Sequence, residues 1–198
     1  MTLPNKITLA RILLIPVFVL LAVYYGRSAA EGRPDEHLRY AAIAVFMAAA
    51  LSDGIDGWIA RRFKLRSALG AVLDPIADKG LMISAIITLS VTQWPNGLPL
   101  WYPVLVISRD VIIVVGCGVL RFLNDRLDVR PSLLGKASTF LQMAAVAAVM
   151  FRFEWYEPVV WLSGALTLLS GIGYIGDGIR QLQAGGHTRP LESPTQTH

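Results

Sequence analysis

Residues 7–25 read ITLARILLIPVFVLLAVYY. The run carries one charge, Arg11, close to its start. A helix needs about 20 apolar residues to cross the hydrocarbon core of a bilayer, so this stretch is of spanning length. Its competing reading is a signal peptide, because Ser28-Ala29-Ala30 follows it. The run reaches Tyr25, however, which is long for a signal core of about 7–15 residues. A first transmembrane helix is therefore expected.

Five further apolar stretches follow, at 38–60, 74–93, 99–123, 134–152 and 158–180. Their length and their Leu and Ala content predict helices. So does the need to satisfy every backbone N–H and C=O inside lipid. No linker separates the stretches, which predicts one all-α membrane domain of six transmembrane helices over residues 1–183. The tail 184–198 is rich in Gly, Pro, Ser and Thr and is expected to be disordered.

Composition agrees with this reading. Of the 198 residues only 16% are charged, against about 25% in an ordinary soluble domain. Cys117 is the single cysteine, so no internal disulfide is possible. With one cysteine and three histidines, His37, His187 and His198, in a loop and the tail, a zinc site is not expected. Trp94, Trp101, Trp155, Tyr156 and Trp161 read as an interfacial aromatic belt on the outer side.

Lys and Arg gather in alternate connections: Lys6 and Arg11, then Arg61, Arg62, Lys64 and Arg66, then Arg121, Arg126, Arg130 and Lys136, then Arg180 and Arg189. The opposite connections hold only Arg27, Arg33, Arg39 and Arg152, diluted by Glu31, Asp35, Glu36, Glu154 and Glu157. This asymmetry predicts both termini in the cytoplasm and a multi-pass protein of the cytoplasmic (inner) membrane. A basic face beside anionic headgroups accounts for the net charge of +4 without any nucleic acid.

Four of the 14 acidic residues lie close together near the inner ends of the second and third stretches: Asp53, Asp56, Asp74 and Asp78. Residues three or four apart share a helix face, so each pair points one way, and a short basic connection lets the pairs converge. One charged Asp at a helix centre costs about 2.5–3.5 kcal/mol, so four cost on the order of 10 kcal/mol. Lys79 and Arg61 can neutralise two at most. Divalent cations with oxygen ligands, Mg²⁺ or Mn²⁺, compensate the rest. A set of buried ion pairs is the structural alternative, but it does not explain Gly57 and Gly70, which clear space beside the carboxylates. Pro75 is tolerated if the third helix starts near Asp74.

The pattern Asp53-x-x-Asp56-Gly57-x-x-Ala60-Arg61, then Gly70-x-x-x-Asp74-x-x-x-Asp78, resembles the signature of the CDP-alcohol phosphatidyltransferases. The likeness extends over nearly the whole chain, through its length and six-helix layout. It implies six transmembrane helices around a polar active-site pocket open to the cytoplasm, and a homodimer. It also implies a reaction in which an acceptor hydroxyl displaces CMP from a CDP-linked lipid such as CDP-diacylglycerol. Asp53, Asp56, Asp74 and Asp78 would be ligands to two metal ions, with Asp78 the general base. Asp53 and Asp74, with Gly57, Ala60, Arg61 and Gly70, would shape the cytidine diphosphate site.

The acceptor is expected from other clusters. Arg109 stands inside an apolar run, either paired with Asp110 or reserved for a ligand. Lys136, Thr139 and Gln142 recur along the fifth stretch, where the alternative for Lys136 is an interfacial lysine. Arg11 adds a cation from the N-terminal run Pro4–Arg11. Together they suit an anionic acceptor. The chain resembles both the phosphatidylglycerophosphate synthases, which use glycerol 3-phosphate, and the eukaryotic-type cardiolipin synthases, which use phosphatidylglycerol. Both acceptors carry phosphate and a glycerol hydroxyl, so these residues do not separate them, and the commoner bacterial role, phosphatidylglycerophosphate synthesis, is the expectation. An ion or proton transporter and a membrane prenyltransferase are the other classes. Neither needs Gly57, Ala60, Arg61 and Gly70 at these spacings.

Overall fold

The structure, a computed structural model, describes residues 3–63, 68–123 and 133–185, and the side chains of 7–52, 73, 74, 76–118 and 133–180. All regular structure among these residues is helical: α1 Leu3–Ala30, α2 Glu36–Phe63, α3 Ala68–Val91, α4 Trp101–Leu123, α5 Leu133–Met150 and α6 Tyr156–Gly185. Each expected stretch falls on one helix; 7–25, 38–60 and 158–180 lie wholly inside theirs, whereas 74–93, 99–123 and 134–152 overrun α3, α4 and α5 by two residues at one end. The part of the expected tail beyond 185 lies outside the described residues.

Among the described residues four helices are long and apolar enough to cross a membrane, over Ile7–Ala30, Trp101–Gly118, Leu133–Met150 and Tyr156–Arg180. In α2 the apolar run between Arg39 and Asp53 is short, and the first residues of α3 fall outside the described side chains. Helix α3 begins at Ala68, so Pro75 lies inside it and not in its first turn. The expectation failed because residues 68–73 are apolar and small enough to extend the helix toward its N-terminus. Helix α1 likewise contains Pro16, whose missing N–H neighbouring helices make tolerable at membrane depth.

Helices α1, α2 and α3 pack together, α4 and α5 both lie on α6, and α3 joins the two groups. Small buried residues, Ala22, Ala42, Ala49 and Ala85, let the first group approach closely. The rings of Phe18 and Phe46 meet at 5.6 Å in its core. Trp94 is a correction to the aromatic belt. It is 5% exposed, donates from Nε1 to the Ala22 carbonyl at 3.1 Å, and packs on Tyr25. Its N–H needs a partner when buried, and the carbonyl of α1 supplies one. Trp155 and Trp161 remain exposed as expected.

Local chemistry sets the turns at this end. Asp35 caps α2 by accepting from His37 N–H at 3.0 Å. Gly32, with φ 74°, ends α1, and the left-handed conformation suits glycine there. Helix α5 ends on Arg152 at φ 55°, a position that glycine usually fills. Its guanidinium is held by Glu36 Oε1 at 2.9 Å and by the Tyr25 hydroxyl. These contacts offset the backbone cost.

Candidate active site

Asp74 and Asp78 stand one turn apart on α3, both half-buried. The buried Thr8 of α1 donates its hydroxyl to Asp74 Oδ1 at 2.6 Å. One turn on, Arg11 is 1% exposed. Its Nε donates to the Ala49 carbonyl at 3.1 Å and to Ser52 Oγ at 3.2 Å. Ser52 directly precedes Asp53 on α2. The N-terminal half of α1 thus braces both acid-bearing helices at one end of the bundle. Asp53, Asp56, Gly57, Ala60 and Arg61 fall on the last turns of α2 and Gly70 on the first turn of α3. Their side chains lie outside the described residues. Among the described residues no group of three or more metal-ligating side chains gathers.

A second cluster joins α3, α4 and α6. Lys79 Nζ meets Asp110 Oδ2 at 2.6 Å. Arg109 Nη1 meets Asp110 Oδ1 at 2.8 Å. Arg109 Nη2 donates to Ser170 Oγ at 2.8 Å, and its guanidinium lies 5.6 Å from the centre of the Tyr174 ring. Arg109 is therefore paired with Asp110, and Lys79 is committed to Asp110. Spacing along the chain had made Lys79 available to the four acids.

Except for Ser170, these residues supply polar groups to a groove of about 750 Å³. Lys79, Arg109, Asp110, Lys136, Thr139 and Tyr174 line it, and its remaining wall is mostly apolar, including Ile83, Val111, Val114, Phe140 and Met143. The expected acceptor set divides here. Arg109, Lys136 and Thr139 share the groove, whereas Arg11 and Gln142 are not among its lining residues. Gln142 is fully buried and turns to α6, donating from Nε2 to Thr167 Oγ1 at 3.0 Å. An amide at membrane depth needs a partner, and α6 offers Ser163, Thr167 and Ser170 along one face.

Sequence reasoning passed over Thr8, Ser170 and Tyr174. Thr8 lies three residues before Arg11, on the same helix face. Ser163, Thr167 and Ser170 make a polar stripe at helical spacing through an apolar stretch, a signal that was present in the sequence.

The sequence model of the family described as CDP-alcohol phosphatidyltransferase matches residues 1–169. The chain is 37% identical over 188 residues to a "Probable phosphatidylglycerophosphate synthase" of Mycobacterium tuberculosis (strain ATCC 25618 / H37Rv), covering 91% of this chain and 83% of that protein. It is 34% identical over 191 residues to a "CDP-diacylglycerol--glycerol-3-phosphate 3-phosphatidyltransferase" of Bacillus subtilis (strain 168), and 34% identical over 179 residues to one of Escherichia coli (strain K12). Each of these two matches covers 87% of this chain and 92% of the relative.

Proposed function

The chain belongs to the CDP-alcohol phosphatidyltransferase family, and from that premise we propose that it makes phosphatidylglycerophosphate. It moves a phosphatidyl group from CDP-diacylglycerol to glycerol 3-phosphate and releases CMP, the reaction for which its relatives are named. Its several long apolar helices and its family make it a multi-pass membrane enzyme. We take the active protein to be a homodimer in the cytoplasmic membrane.

The observation that carries the acceptor half is the charge imbalance of the groove. Among the described lining residues there are three cations, Lys79, Arg109 and Lys136, and one carboxylate, Asp110, which pairs with the first two. Three cations against one acid suit a phosphate-bearing acceptor, with Arg able to give two parallel hydrogen bonds and Lys a point charge.

For the donor half, Asp53, Asp56, Asp74 and Asp78 would hold two Mg²⁺ or Mn²⁺ ions. An all-carboxylate donor set fits hard cations. The Thr8 hydroxyl on Asp74 is the kind of contact that orients a ligand. Lys79, next to Asp78 in sequence, is drawn to Asp110 and does not replace the ions. Bound there, the cations supply charge neutralisation along the diphosphate. Gly57, Ala60, Arg61 and Gly70 shape the cytidine end. The acceptor hydroxyl oxygen attacks the phosphorus that bears the diacylglycerol. The bond from that phosphorus to the bridging oxygen breaks, and CMP leaves with the electron pair. Asp78 takes the hydroxyl proton, which requires it to sit within hydrogen-bond reach.

One observation favours a second reading. The apolar wall of the groove is more than glycerol 3-phosphate requires, and it suits phosphatidylglycerol as acceptor, the cardiolipin synthase reaction. The test is CMP release by the purified protein given CDP-diacylglycerol with each acceptor. Product with glycerol 3-phosphate is expected. Product with phosphatidylglycerol alone replaces the first reading with the second. Ion flux across liposomes without CMP release would overturn both.

A further inference from the structure

The acceptor reading rests on Arg109, and the structure gives that side chain an unusual mounting. Neighbouring residues on a helix point about 100° apart, yet Asp110 bends back to its own neighbour. Its two carboxylate oxygens serve different partners. Oδ2 takes Lys79 from α3, and Oδ1 takes Arg109. Ser170 on α6 holds the other terminal nitrogen. The stem packs against Gly171 of α6, where a Cβ would lie in ordinary contact, 3.4 Å from Arg109 Cγ. Arg109 is 7% exposed, and its Nε is buried with no partner among the described residues. A guanidinium has five N–H donors. Asp110 and Ser170 each use one terminal donor, so three remain: the Nε–H and one N–H on each terminal nitrogen.

We propose that Asp110 and Ser170 are positioning residues. They fix the Arg109 guanidinium in the groove, with Lys79 anchoring Asp110, so that two parallel N–H groups meet the acceptor phosphate. A long Arg side chain binds a phosphate through two parallel hydrogen bonds well only when its planar fork is already aimed. The inference rests on the acceptor reading above, and its test separates the two.

The test is steady-state kinetics of the full-length enzyme with varied acceptor, on Asp110→Asn and Ser170→Ala, in both the wild-type and the Arg109→Lys background. Losing one hydrogen bond to a charged group corresponds to roughly a tenfold change. Asp110→Asn is expected to raise the acceptor KM about tenfold or more. Ser170→Ala should raise it several-fold, and Asp110→Glu should recover part of the loss. The KM for CDP-diacylglycerol should stay within about twofold, since uniform binding of the donor is untouched. In the Arg109→Lys background neither substitution should raise the acceptor KM further. An unchanged acceptor KM in Ser170→Ala, or an equal further rise without Arg109, overturns the proposal even where Asp110→Asn fails to fold. The wild-type enzyme tests the acceptor reading first. If it uses only phosphatidylglycerol, that reading falls, and the same pattern is expected with phosphatidylglycerol varied.

Discussion

At the scale of single residues, one of the four acids and a hydroxyl bonded to another make distinct predictions. Asp78 is the proposed base. Asp78→Asn keeps the size and removes the proton acceptor, so turnover should fall by about 10²–10⁴-fold while the protein still inserts. Normal CMP release by that variant removes Asp78 from the base role. Thr8 acts through Asp74, its hydroxyl lying 2.6 Å from Oδ1. Thr8→Val keeps the shape and loses the bond. The midpoint of Mn²⁺-dependent thermal stabilisation by CDP-diacylglycerol should shift to about 10–100-fold higher Mn²⁺, and Thr8→Ser should restore it. A shift in basal melting temperature with no change in the Mn²⁺ midpoint makes Thr8 a packing residue only. The acids themselves were legible in the sequence, because several carboxylates in an apolar chain are costly wherever they point. Lys79–Asp110 was not. That contact depends on how α3 and α4 are rotated against each other, and one-dimensional spacing does not encode rotation between helices.

At the scale of helices, the interfaces hold where side chains are small. At Gly26, a Cβ would sit 2.9 Å from Thr92 Cβ and 3.3 Å from the Gln93 backbone nitrogen. A backbone atom does not move aside as a flexible side-chain tip does. Gly26→Ala should therefore destabilise the α1–α3 junction by about 1–3 kcal/mol. Gly173 on α6 has nothing within 4 Å of such a Cβ. There alanine should be neutral, or stabilising by up to about 1 kcal/mol through helix propensity. Thermal unfolding in one detergent compares the two, and equal effects contradict the packing. The helices were legible because apolar length is a strong signal. Their ends were less so, since polar residues such as Glu36 and Arg61 extend a helix without adding hydropathy. Trp94 was misread for a related reason: tryptophan suits both a lipid interface and a buried site with a carbonyl acceptor, and only the neighbouring Ala22 carbonyl decides.

At the scale of the whole molecule, we propose that α2 and α3 cross the bilayer with the four apolar helices. The contacts along α1 favour crossing. Near its start α1 meets α3 through Thr8–Asp74 and α2 through Arg11–Ser52. Further along, it meets α2 through Phe18–Phe46 and the segment after α3 through Ala22–Trp94. Thr8 to Ala22 is about 21 Å of helix rise, most of a hydrocarbon core of about 30 Å. Helix α3 with the segment after it therefore follows α1 from Thr8 to Ala22, and α2 follows it from Arg11 to Phe18. The far end also dampens its own positive charge, because Arg39 and Arg152 both pair with Glu36. The positive-inside rule predicts the basic connection Arg61–Arg66 in the cytoplasm. If α2 and α3 stayed on the outer surface, both termini would remain inside but this connection would lie outside. Single cysteines in a Cys117→Ser background separate the cases by labelling with a membrane-impermeant maleimide. Glu154→Cys should label in intact cells stripped of their wall, while Ser67→Cys and Ser193→Cys should label only after the membrane is opened. Labelling of Ser67→Cys from outside reduces the crossings to four. It would also put the acid cluster on the side away from cytoplasmic CDP-lipid chemistry, so this one position bears on the topology and the proposed reaction together.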